Sequence, residues 1–181
     1  MGEMARIGRR GVLPLLGATL LAACGFQPVY APAAGSADSA AASGLAEINV
    51  ALIPERNGQL LRNALQERFE RAGMAVARRY DLAVVYAFSA AAIGIQQDYS
   101  ATRLRFSGQA NYTLTAQNPT RTTLTSGVAR TVDGLNEFDN QYFASDQESD
   151  QVERRMAEAL ADQIALQLAI YFRKRAATAA D

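Results

Sequence analysis

The strongest pattern along the chain is an unbroken alternation of apolar and polar positions from Thr102 to Ala116. Leu104, Phe106, Gly108, Ala110, Tyr112, Leu114 and Ala116 fall on one face, and Arg103, Arg105, Ser107, Gln109, Asn111, Thr113 and Thr115 on the other. A period of two held over that length predicts a long strand with one dry and one wet face. Asn118-Pro119 predicts a turn. Thr122–Val132, rich in threonine and valine, predicts the return strand of a hairpin. Two shorter strands are predicted at Ala46–Ile53, which Pro54 ends, and at Leu82–Phe88.

Two stretches change period. Gln59–Ala72 spaces Leu61, Ala64, Leu65, Arg68 and Phe69 as one helical face, with Gly73 as its stop. From Ser145 to about Arg175, Val152, Met156, Ala159, Leu160, Ile164, Leu168 and Tyr171 form a second apolar stripe. Ser145 and Glu148 have capping-box spacing, and Arg173, Lys174 and Arg175 in a last turn suit the helix dipole. The segment 133–144 between hairpin and helix reads as an irregular loop, and 176–181 as a disordered tail. The resulting order is β-α-β-β-β-α. It predicts an α+β two-layer sandwich over 45–175, with two helices on one face of a four-stranded, mostly antiparallel sheet.

The N-terminal segment has a different character. Arg6, Arg9 and Arg10 precede an uncharged apolar run from Gly11 to Ala23. That run is too short to span a bilayer, which takes roughly 20 residues, and reads as a secretion signal over 1–23. Leu21-Ala22-Ala23-Cys24 resembles a bacterial lipobox. The resemblance implies a diacylglycerol on the Cys24 sulfur, cleavage before it and acylation of the new amine, for instance by palmitate. Gly25, standing where an aspartate would retain the protein at the inner membrane, implies the outer membrane. Residues 24–44 then read as a lipidated N-terminus and flexible tether, since Ala31–Gly44 is a low-complexity run of small residues.

Composition removes whole classes of chemistry. The chain has no histidine, which excludes a Ser-His-Asp triad and a histidine metal site. Cys24 is its only cysteine, so once acylated it leaves no thiol nucleophile or disulfide. Without residues 1–23, fifteen basic side chains face seventeen acidic ones, a balance that argues against general nucleic-acid binding. No metal and no cofactor other than the covalent lipid is expected, and no enzymatic activity. An enzyme built on paired carboxylates has no sequence sign. The cluster Asp146, Glu148 and Asp150 reads as acids complementing a helix dipole.

Several residues are candidate contacts. Arg103 and Arg105 share the wet face, with Arg121 expected near them across the hairpin, and guanidinium forks suit phosphates and carboxylates. The alternative reading of the same arginines is a solvated strand edge in which they discourage sheet-to-sheet aggregation. Phe138, Tyr142 and Phe143 are candidate interface anchors or covers for the end of the core. Gln96, Gln97, Asp98 and Tyr99 read as a turn, and Phe26, Pro28 and Tyr30 as contacts beside the anchor.

Taken together, Cys24-Gly25-Phe26 with Pro28 and Tyr30, the element order, the strand text Ala101–Leu114, the segment Tyr142–Ser145 and the closing helix resemble the LptE family of lipopolysaccharide-assembly lipoproteins. The resemblance spans Cys24 to about Lys174. It implies a non-catalytic outer-membrane lipoprotein that sits one-to-one inside an LptD-type β-barrel as plug and assembly partner, and that contacts lipopolysaccharide. A barrel lumen is polar, which is compatible with a polar sheet face. The competing reading is a free-standing periplasmic lipoprotein that holds a ligand in an enclosed pocket between sheet and helices.

Overall fold

A computed structural model describes residues 36–70, 77–95, 101–136 and 142–180, and side chains within 39–70, 77–93, 103–135 and 147–179. Cys24, Phe26, Pro28, Tyr30, Gly73, Gln96, Gln97, Asp98, Tyr99 and Phe138 lie outside the described residues. The elements run α1 (Ser36–Ala46), β1 (Ile48–Val50), α2 (Glu55–Glu70), β2 (Tyr80–Ile95), β3 (Ala101–Ala116), β4 (Thr123–Asn136) and α3 (Tyr142–Ala180). The sheet order is β1-β2-β3-β4. β1 pairs with β2 in parallel, as a strand-helix-strand crossover requires, and the other neighbours are antiparallel. This is the expected α+β sandwich with its helices on one side, but with three helices rather than two among the described residues.

The additional helix lies where the sequence predicts tether. Residues 36–46 (SADSAAASGLA) are helical and bury Ala41, Gly44, Leu45 and Ala46. Small residues signal a loose linker by composition, yet alanine is also the best helix former and lets a helix approach its neighbour closely. The fit is tightest at Gly44, where a Cβ would lie 2.6 Å from the Phe172 ring. Phe172 in turn packs on Tyr80, with ring centroids 5.3 Å apart.

β3 matches its alternation within a residue, and the other long elements overrun theirs. β2 continues to Ile95 because β3 supplies a pairing partner along its length, although Ser89–Ile95 is too uniformly small and apolar to show a period. β4 continues to Asn136 opposite Arg103, into the expected loop. Asp133 there is held by Arg155 at 2.9 Å.

α3 is 39 residues long, about 58 Å at 1.5 Å per residue. Starting at Tyr142, it places Ser145 inside the helix, so Ser145 does not cap it. It also runs through the expected tail to Ala180, because Ala-Ala-Thr-Ala-Ala contains no helix breaker. Arg173, Lys174 and Arg175 are therefore not in its last turn. None of the described helices is long and apolar enough to cross a membrane.

The core lies between the helices and the even-numbered side chains of β2 and β3. Leu61, Leu65, Leu82, Leu114, Leu160, Ile164 and Leu168 are fully buried there. Towards the other end, Phe106, Leu135, Val152 and Met156 form a second cluster, flanked by Phe88 and Leu104. Ion pairs join the two longer helices: Arg56 reaches Asp150 (2.8 Å) and Glu153 (3.3 Å), and Arg68 reaches Asp162. Arg68, which the spacing places on the apolar stripe, extends across the α2–α3 seam, and its hydrogen bond to Asp162 raises its pKa. Asp150 is thus engaged by α2 and lies beyond the first turn of its own helix.

Side chains cap backbone groups on the sheet's two outer strands. On β4, the Gln163 Oε1 accepts from the Arg130 N–H (3.3 Å) and its Nε2 donates to the Arg130 carbonyl (3.1 Å). Gln167 donates to the Val128 carbonyl (3.4 Å), and its Oε1 accepts from the Tyr112 hydroxyl (2.7 Å). Arg78 donates to the carbonyls of Ala46 (2.8 Å), at the end of α1, and of Ile48 (2.9 Å) in β1, and Arg62 to that of Val50 (3.4 Å).

Candidate functional site

The helix-free face of the sheet has no covering element among the described residues. Register assembles it in rows: Val85, Asn111 and Val128; then Ala87, Gln109 and Arg130; then Ser89, Ser107 and Val132; then Ala91, Arg105 and Gly134. An open depression of about 320 Å³ spans the middle rows. Its polar members are linked. The Arg130 Nε donates to the Gln109 Oε1 (2.9 Å), and the Gln109 Nε2 to the Asn111 Oδ1 (3.3 Å).

The face is less polar than its β3 strand alone predicts. Val85 is 70% exposed and Val132 65%, and Val128 adds to them. Arginine forks set among exposed valines form an amphiphilic surface, suited to anionic groups and apolar chains at once. Arg103 and Arg105 lie on it at the far end of β3, flanked by small residues at Gly94, Ala91 and Gly134, which leave the guanidinium groups room.

Arg130 belongs to this site and is missing from the sequence candidates. The alternation Val128, Arg130, Val132 places it on the same face as Gln109, but only once the hairpin register is known.

Arg121 does not join the other arginines. It sits in the β3–β4 turn, roughly 35 Å along the strand from Arg105. The turn is narrow: the Arg121 N–H donates to the Asn118 carbonyl (3.0 Å), and Arg121 takes a left-handed φ of 46°. Its side chain reaches Asp81 at 3.5 Å. Asp81 also accepts from Asn49 Nδ2 (2.9 Å) and Gln117 Nε2 (2.8 Å), so it ties β1 and the turn to β2. Those hydrogen bonds, with help from Arg121, hold its carboxyl below the ordinary value of 3.8. Because the folded pKa is depressed, this stabilisation is present above the unfolded value and is lost as pH falls through the folded one. Asp81→Asn should therefore be less stable than wild type at pH 7, with the gap closing below about pH 4. Urea unfolding across that range reads it, and a gap constant with pH overturns the assignment.

Tyr142 and Phe143 lie in the first turn of α3 rather than in a loop. The Tyr86 phenol, at the edge of the second cluster, is pushed up to about 12 by burial and by the Glu153 charge, so it stays neutral at physiological pH. The space between sheet and helices, where an enclosed ligand pocket is the alternative expectation, is filled by Leu82, Leu114, Leu160 and Ile164.

Comparison with known proteins gives one family. A model described as LptE, lipopolysaccharide-assembly, matches residues 45–168, from the end of α1 to Leu168 in α3. No curated protein matches the chain significantly. Among solved structures, one from Caulobacter crescentus CB15, described as a lipoprotein, superposes with a TM-score of 0.56 at 20% identity. It covers 73% of this chain and 95% of that one, a likeness that shows the fold. The rare lipoprotein B from Shewanella oneidensis gives a TM-score of 0.49 at 10% identity over 67% of this chain and 91% of its own.

Proposed function

Because the chain belongs to the LptE family of lipopolysaccharide assembly, we propose that it is the non-catalytic lipoprotein subunit of an outer-membrane lipopolysaccharide translocon. In this reading it seats one-to-one in an LptD-type β-barrel as plug and assembly partner, held to the membrane by lipid on Cys24. The observation that carries the reading is the span of the family match, which covers every strand of the sheet. The amphiphilic face supports it: Arg103, Arg105 and Arg130 offer forks to phosphates or to lumen carboxylates, and Val85 and Val132 offer apolar contact. Phe138, Tyr142 and Phe143 are proposed as further partner contacts. Arg121, engaged with Asp81 at the opposite end of β3, is no longer among them.

The test is an affinity pull-down of the mature lipoprotein from detergent-solubilised outer membranes, with mass spectrometry of what co-elutes. One large β-barrel protein in a one-to-one ratio is the expected result. Elution of the folded protein alone overturns the reading. Cys24→Ala behind an ordinary cleavable signal should leave the complex intact, since seating in the lumen rather than the lipid holds it. Loss of co-purification in that variant would make the anchor the main tie.

A further inference from the structure

Among the described residues, the sheet leaves a long stretch of β2 open beyond the end of β1. Leu82 accepts a hydrogen bond through its carbonyl from the Ala51 N–H at 3.0 Å, so its backbone groups point towards β1. Backbone direction alternates along a strand with a period of two. The N–H and C=O groups of Val84, Tyr86, Phe88, Ala90 and Ala92 therefore point to the same side. Among the described residues nothing meets them: β1 ends at Val50, opposite Leu82, and no backbone bond from another described element reaches these five residues.

The usual guards of an exposed edge are charges, prolines, bulges or a covering element. Residues 82–92 (LAVVYAFSAAA) contain no charge and no proline, and the register irregularity comes only at Ala92–Ile95. On β4 and β1, by contrast, side chains cap outward groups: Gln163 and Gln167 those of Arg130 and Val128, and Arg78 and Arg62 those of Ile48 and Val50. A long, neutral edge without such caps, in a sheet whose outer strands carry them, is a surface shaped for strand addition.

We infer that the β2 edge from Val84 to Ala92 receives an extended segment of the barrel partner as a further strand, running on from where β1 stops; this rests on the barrel-plug reading above. Area argues against a second copy of this chain as occupant. Nine paired residues make a strip about 30 Å long that buries on the order of 300–400 Å² per partner. That is about half of the ~800 Å² per partner found in stable interfaces, so the strand must come from a protein that also grips the domain elsewhere. Wall strands of a closed barrel have no free edge to offer. The segment therefore lies outside the wall, and the neutral edge favours one with few charges and no proline at its bonding positions.

Residue-resolved amide exchange on the wild-type protein, free and in the complex recovered by the pull-down, tests this. The amides of Val84, Tyr86, Phe88 and Ala90 should exchange quickly in the free protein and slow by on the order of 100-fold in the complex. Those of Val85, Ala87 and Ser89, which bond to β3, should be protected in both states. Ala90→Pro removes one outward N–H and places the proline ring on the open edge, where a strand tolerates it. It should leave the β2–β3 amides protected and weaken barrel binding about tenfold. If the barrel co-purifies but the even-numbered amides still exchange quickly, the edge inference is overturned and the plug reading survives. If no barrel co-purifies, the plug reading falls, and this inference with it. Protection that instead rises with the concentration of the free protein would assign the edge to a second copy and overturn the partner strand.

Discussion

Leu160→Ala should lower the unfolding free energy by about 2–5 kcal/mol. Leu160 is fully buried near the middle of α3, which packs against α1, α2, β3 and β4. A cavity lined by several elements collapses poorly, because no single one can move in without leaving the others. Urea denaturation should show the midpoint falling with its slope unchanged. A loss under about 1 kcal/mol would mean that α3 is not seated as described.

The second large effect concerns α1. Gly44→Leu places a branched side chain where even a Cβ would lie 2.6 Å from the Phe172 ring. Phe172 cannot yield easily, since it is buried and packed against the Tyr80 ring. Overpacking of this kind costs about 1–3 kcal/mol, and the least costly relief is detachment of the eleven-residue helix. Amide exchange over 36–46 should accelerate markedly while the β3 amides remain protected. If the helix stays protected in Gly44→Leu, its hold on the domain lies elsewhere than at Phe172.

Legibility in the sequence follows how much each segment's two faces differ. β3 divides arginine, glutamine and asparagine from leucine, phenylalanine and tyrosine, so its alternation alone sets its bounds within a residue. The stripe of α3 is equally plain at Val152, Met156, Leu160, Ile164 and Leu168, and these five are buried as expected. Alanine-rich segments defeat the same method. Ala-Ala-Ala-Ser-Gly signals a linker and a closely packed helix alike, and only Phe172, more than 120 residues later, decides between them. The far half of β2 and the end of α3 fail for that reason as well.

The candidate site was legible in part, since face assignment within β3 placed Arg103 and Arg105 on the uncovered side. Hairpin register is a long-range property. Without it the sequence sets Arg121 beside Arg103 and Arg105, gives no sign of Arg130, and leaves the valines that make the face amphiphilic unassigned.

The glutamines that close β4 also order events in time. Gln163 meets Arg130 across 33 residues of chain, and a polypeptide is made amino end first. When the β2–β3–β4 meander has emerged, the helix that will seal its outer strand has not. For that interval the β4 margin is unguarded along with the open stretch of β2, a state in which chains join one another readily. The last forty residues thus determine more than the stability of the finished fold: the nascent molecule is most prone to aggregate just before they arrive.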